Sequence, residues 1–185
     1  MIVCYRPDGT PDPEHPRPAA LLAGSFNPLH FGHRQLAELV GLRSNGTVHF
    51  ELSIANVDKP DLNPDEIERR VAQFRDYAPV WVTRAPTFAQ KAEHFPGTTF
   101  VVGWDTAVRL VDPKYYSQSA AQRDDALARL REHRCRFLVA GRLDGAGQFR
   151  TWEFDGWHDL FEVIGEGEFR ADVSSTELRK RWAKA

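Results

Sequence analysis

Two histidines, His30 and His33, stand three positions apart behind Pro28, in the run Gly24-Ser25-Phe26-Asn27-Pro28-Leu29-His30-Phe31-Gly32-His33. Proline presets its own backbone and disfavours helix before it, so a helix is expected to begin near His30 to Gly32. That spacing puts both imidazoles on one helical face. The unpaired N–H groups of the first turn and the helix dipole would make an anion site there. Gly24 lets the turn and a ligand approach closely, and Gly32 keeps the backbone between the imidazoles open to a phosphate. Near the other end of the chain, Val173-Ser174-Ser175-Thr176-Glu177-Leu178-Arg179 gathers hydroxyls and a guanidinium at the start of a second helix. Ser174-x-x-Glu177 is a capping box, which explains part of the pattern structurally. Ser175, Thr176 and Arg179 lie outside that explanation, and with the helix amides they can hold the β- and γ-phosphates of a triphosphate. Phosphoryl and nucleotidyl transfer need charge stabilisation and in-line positioning more than covalent chemistry, and these groups supply both.

The elements that must position these residues alternate. Strands are expected at 19–24, 48–54, 80–83, 98–103, 136–142 and 159–165, and helices at 32–43, 64–77, 86–95, from 104 to 111, 119–133 and 175–185. Short strands rich in Val, Phe and Leu, separated by helical segments, imply βαβ units and a mainly parallel sheet buried on both faces. The expected fold is a Rossmann-like, doubly wound α/β domain with five or six strands. Residues 1–18 are dense in proline and charge and read as a lead-in, with the domain proper over 19–185. Ligands of such sheets bind beyond the carboxyl ends of the strands, and the histidine pair follows the strand at 19–24.

The run GSFNPLHFGH resembles the opening block of the HxGH nucleotidyltransferase superfamily, most nearly its nicotinamide and nicotinate mononucleotide adenylyltransferases. The later VSSTELR is similar to the element those enzymes carry as ISSTxIR. The likeness runs in order over residues 20–179, with its two specific motifs at the ends. It implies that His30 and His33 contact the triphosphate and steady the transition state, and that no covalent enzyme intermediate forms. It implies a catalytic part for Arg179 as well. The nucleotide would be held by Gly24, Ser25, Phe26, Asn27 and Gly32, with Ser174, Ser175 and Thr176 on the triphosphate. Gly103-Trp104-Asp105 matches a glycine-x-aspartate step whose carboxylate contacts nucleotide ribose. Asp105 also reads as a helix cap. Lys59 falls where relatives place a phosphate-contacting lysine, although a loop lysine is ordinarily solvated. Arg142, after the strand at 136–142, would face the nucleotide similarly.

The reaction implied is transfer of AMP from ATP to a small phosphorylated acceptor, nicotinamide or nicotinate mononucleotide, with release of pyrophosphate, as in NAD biosynthesis. Mg²⁺ would be held through the ATP phosphates, since no carboxylate cluster is evident. The acceptor side departs from the family pattern. Where relatives read Ser-Tyr-Thr-x-Asp-Thr, this chain has Pro86-Thr87-Phe88-Ala89-Gln90-Lys91, without the aspartate. Thr87 and Trp104 are the candidate acceptor contacts, and Trp81, Phe88 and Trp104 are aromatics that can stack on a pyridine ring. Phosphopantetheine as acceptor, CTP as donor, or a binding module without catalysis stay open. A zinc site on His30 and His33 is disfavoured because no third ligand lies nearby in sequence.

The rest of the composition narrows the class. At 185 residues and 42% hydrophobic, the chain can bury a core without a disulfide or metal. A net charge of −2 gives no general attraction to nucleic acid or to an anionic membrane. No apolar run reaches a membrane span, and the start lacks the pattern of a secretory signal. Two cysteines, Cys4 and Cys135, form no framework, which fits a reducing cytoplasm.

Overall fold

The fold is taken from a computed structural model that describes residues 2–55, 60–144, 146–153 and 156–183. Ten strands run in chain order: β1 Ile2–Tyr5, β2 Pro11–Asp12, β3 Ala20–Ala23, β4 Val48–Ser53, β5 Val80–Thr83, β6 Thr99–Gly103, β7 Arg136–Ala140, β8 Arg142–Leu143, β9 Phe149–Arg150 and β10 Phe161–Ile164. Among the described residues six α-helices accompany them: α1 Phe31–Ser44, α2 Pro64–Val71, α3 Phe88–His94, α4 Trp104–Val111, α5 Ala120–Glu132 and α6 Ser175–Trp182.

Contacts group the chain into two compact units, Met1–Thr87 with Asp172–Ala185, and Phe88–Ala171. The first holds five strands in the order β3-β4-β5-β1-β2. β3, β4 and β5 are parallel, and β1 is antiparallel to both β5 and β2. The second holds three parallel strands, β10-β7-β6, and a separate antiparallel ribbon, β8-β9. The architecture is α/β with mostly parallel pairing. Among the described residues the main-sheet strands number eight, not the five or six expected. The surplus comes from β1 and β2, which lie inside the proline-dense first eighteen residues. Edge pairing needs few residues and no helical spacer, so their sequence carries little periodic signal. Residues 1–18 group with residues 19–87 in the first unit.

β4 shows how the first unit's core is built. Its residues alternate between faces, as a strand requires. Phe50 packs on one face against the rings of Phe26, Phe74 and Tyr77, with centroids 5.4, 4.9 and 5.6 Å away. His49 and Glu51 lie on the other. There the Trp81 indole donates to His49 Nδ1 at 3.1 Å and the Thr83 hydroxyl donates to the buried Glu51 carboxylate at 2.6 Å. The lead-in covers this second face: Arg17 sits 4.5 Å over the Trp81 ring and His15 5.3 Å from His49. Trp81 is fully buried in this arrangement, so it is a core residue and offers no face to a pyridine ring. Phe88 in the second unit is half-buried and stands edge-on to Phe100 and Phe137.

The helix expected over 64–77 is shorter. α2 begins as anticipated, with Asn63 accepting from Glu66 N–H at 2.9 Å and Pro64 in the first turn. It ends at Val71 and passes into a 3-10 turn at Ala72–Phe74. Tertiary contacts override helical propensity here. Phe74 is drawn into the core, Gln73 is engaged by the 26–29 loop, and Asp76 N–H donates to the Pro7 carbonyl at 2.8 Å. No helix of the described residues is long and apolar enough to cross a membrane.

The Thr83–Glu51 bond sets a first prediction. Thr83→Val keeps the volume of the β5 side chain but removes a donor to a buried carboxylate and the acceptor of the Ala85 N–H, a loss of about 1–3 kcal/mol. A urea or thermal melt should show that loss, and an unchanged midpoint would mean the bond contributes nothing.

Candidate active site

The histidine loop grows out of β3. Gly24 closes the strand, its N–H donating to the Glu51 carbonyl at 3.0 Å. A β-carbon on Gly24 would come within 2.8 Å of the Phe26 ring, so the position has room for hydrogen only. Phe26 itself is fully buried with φ of 43°, a left-handed conformation that a bulky residue holds only under constraint. The constraint is visible. Its ring stands edge-on to His33, Phe50 and Phe74 at 5.2, 5.4 and 5.2 Å.

The chain then passes through a cis Asn27–Pro28 peptide to His30, which takes the N-cap position of α1. The His30 backbone N–H donates to His33 Nδ1 at 3.2 Å, and the two rings stack with centroids 3.7 Å apart. His33 Nδ1 is therefore an acceptor, and the neutral ring carries its proton on Nε2 as a donor. Burial first, and then the neighbouring His30, pushes His33 down from 6.5 to about 3. Burial also lowers His30, whose Nδ1 is enclosed without a hydrogen-bond partner. Both imidazoles are thus neutral donors in the resting protein at neutral pH. Gly32 is buried in the first turn between them.

α6 joins this loop within the same unit. Ser175 Oγ donates to the Pro28 carbonyl at 2.9 Å, across 147 positions of chain. The Arg179 guanidinium donates to the Asn27 carbonyl and, at 3.0 Å, to Thr176 Oγ1. Ser174 N-caps α6, its hydroxyl accepting from Glu177 N–H at 3.2 Å. The structural reading of Ser174 accordingly accounts for its oxygen as it stands. Ser25 is exposed, and its carbonyl accepts from Arg70 at 2.8 Å. Asn27 Oδ1 accepts from Arg69 at 2.9 Å. Glu66 pairs with both arginines, which holds its own carboxyl near 2, chiefly through Arg69. Arg69, Arg70 and Gln73 were not singled out from the sequence. The local pairing of the two arginines with Glu66 looks like that of any helix face, and the loop partners of all three lie more than forty positions earlier in the chain.

Lys59 lies outside the described residues. Thr87 is exposed at the end of the first unit's longer segment. Gly103 is the N-cap of α4, so Asp105 falls in the first turn and is not the cap. Asp105 instead pairs with Arg142 at 2.6 Å, both side chains about half exposed, within the second unit. Trp104 is half-buried there. Trp152 is buried and stacked on Phe161 at 4.2 Å, and Arg123 sits 4.9 Å over Trp157. Among the described residues no group of three or more His, Cys, Asp or Glu side chains is placed to hold a metal ion.

Comparison with known proteins gives limited kinship. No family model matches the chain. A Schizosaccharomyces pombe protein named "Putative nicotinamide mononucleotide adenylyltransferase" is 28% identical over 120 residues. The alignment covers 57% of this chain and 47% of that protein, so the chain spans about half the length of the relative it matches.

The lowered His33 value fixes a pH dependence. The folded chain releases this proton at about 3 whereas the ordinary value is 6.5, so on acidification the unfolded chain takes it up first. The contribution is whole above the ordinary value and drains as pH falls below it, by at most about 1.4 kcal/mol per pH unit. In urea titrations between pH 7 and 5, His33→Gln should lose stability less steeply than the wild type. Parallel pH slopes would contradict the buried, neutral imidazole.

Proposed function

We propose that the chain is a nucleotidyltransferase that transfers the AMP moiety of ATP to a phosphorylated acceptor, with nicotinamide or nicotinate mononucleotide as that acceptor. The observation that carries this reading is the meeting of the two motifs at one loop: Ser175 on Pro28 and Arg179 on Asn27, beside the stacked His30–His33 pair. The named activity of the S. pombe relative supports it.

The geometry suits a polyphosphate. The amino end of the 14-residue α1 adds a partial positive charge to the neutral imidazole donors. Arg179 brings a permanent cation with donors in a fork that matches phosphate oxygens. An arriving anion would raise the pKa of the partly exposed His30 and so strengthen its donation. In the proposed reaction an acceptor phosphate oxygen attacks the α-phosphorus in line. The bond from that phosphorus to the bridging oxygen breaks, and pyrophosphate leaves with the electron pair. His33 Nε2–H is assigned to donate to the phosphate oxygens that gain charge, and Arg179 to hold the β- and γ-phosphates. Mg²⁺ held through the phosphates would neutralise part of their charge.

Removal of one transition-state donor of this kind costs about 100- to 1000-fold in rate. His33→Ala should therefore retain the fold by circular dichroism and lose pyrophosphate release by that factor, with ATP and nicotinamide mononucleotide as substrates. Turnover near that of the wild type would remove His33 from the mechanism. Tight ATP binding with no turnover on any phosphorylated acceptor would make the protein a binding module.

A further inference from the structure

A carboxamide offers one acceptor and two donor hydrogens, and Gln73 spends both kinds on one short loop. Its Nε2 donates to the Phe26 carbonyl at 2.9 Å, and its Oε1 accepts from Leu29 N–H at 2.8 Å. The same nitrogen lies 3.2 Å from the Arg70 carbonyl. Between the two bridged positions are Asn27 and Pro28, and proline has no N–H of its own. The loop has no strand partner over these residues, and side chains meet its carbonyls and the Leu29 N–H. Both ends of the bridge matter to the histidines. Phe26 sets its ring edge against His33, and Leu29 immediately precedes His30, whose N–H holds His33 Nδ1. Arg70 supports the bridge from one side: it is buried, fastened to Glu66 at 2.6 Å, and donates to the Ser25 carbonyl.

We propose that Gln73 is a positioning residue, whose carboxamide ties the two ends of the 26–29 loop together and thereby sets where the His30–His33 pair stands. The catalytic consequence rests on the function proposed above, but the positioning does not. Glutamine is suited to the task because one planar group presents a donor and an acceptor side by side. No other side chain without charge does this at the same reach. A carboxylate would keep the bond from Leu29 and face the Phe26 carbonyl with a second acceptor.

The test uses the full-length protein without substrate, read by NMR. In Gln73→Leu, hydrogen exchange at the Leu29 amide should quicken about 5- to 10-fold, the loss of one bond, while amides of β4 keep their rates. The His33 ring should titrate at a higher pH than in the wild type as the loop loosens. Should Gln73→Leu fail to fold, Gln73→Met, of nearly the same reach and without charge, carries the test with the same two readouts: faster exchange at the Leu29 amide and a raised His33 midpoint. With ATP and acceptor, either variant should lower kcat about tenfold with less change in the KM for ATP. Leu29 exchange and His33 titration at wild-type values in whichever of these uncharged variants folds would overturn the proposal. A wild type without turnover would count against the proposed function alone, since both NMR readouts need no reaction.

Discussion

Phe26 occupies a left-handed backbone conformation at full burial, a combination that costs on the order of 1–3 kcal/mol for a residue other than glycine. It persists because the surroundings leave no alternative. The absent side chain of Gly24 makes room for the ring, Phe50 and Phe74 hold its edges, and the Gln73 carboxamide holds its carbonyl. The turn so formed carries the chain from the end of β3 to the first turn of α1 and delivers two histidines stacked on one another. Its carbonyls at Ser25, Phe26, Asn27 and Pro28 point outward and are each taken by a side chain from α2, the turn after it, or α6. A loop fastened from both sides is preorganised, which is what electrostatic catalysis asks of a donor set.

Burial decides the chemistry these histidines can perform. An imidazole held near 3 does not act as a base that trades protons at neutral pH. It acts as a fixed donor, its tautomer set by the N–H of its neighbour. Positive charge enters from the α1 dipole and from Arg179. This division suits a reaction whose difficulty lies in the negative charge of the phosphates more than in proton transfer. A second titratable group shows the contrast. His49 is also pushed down, to about 4, mainly by burial, yet it is tied to Trp81 beneath the lead-in. Similar burial there only builds core.

Much of this was legible in the residues. Strands at 20–23, 48–53, 80–83, 99–103, 136–140 and 161–164 fall inside the expected ranges because doubly buried strands must be apolar. α1 begins at Phe31, where Pro28 and the histidines place it, and α6 begins at Ser175 behind its serine cap. What escaped was long-range or very short. β1 runs into a proline-dense segment, and β2, β8 and β9 have two residues each, too few for a period. The fastening of the loop by Arg69, Arg70 and Gln73 could not be read, since a helix face engaged by a distant loop looks like any polar face. The favoured-cap chemistry of Asp105 misleads, since Gly103 takes the cap of α4 and Asp105 pairs with Arg142 across 37 positions.

The central claim is that the imidazole pair and the Ser175–Arg179 group serve one polyphosphate. A crystal structure of the protein with a non-hydrolysable ATP analogue and Mg²⁺ tests it most directly. The account predicts triphosphate oxygens within hydrogen-bonding distance of His33 Nε2 and the Arg179 guanidinium together. An analogue bound with its triphosphate away from either group would contradict it.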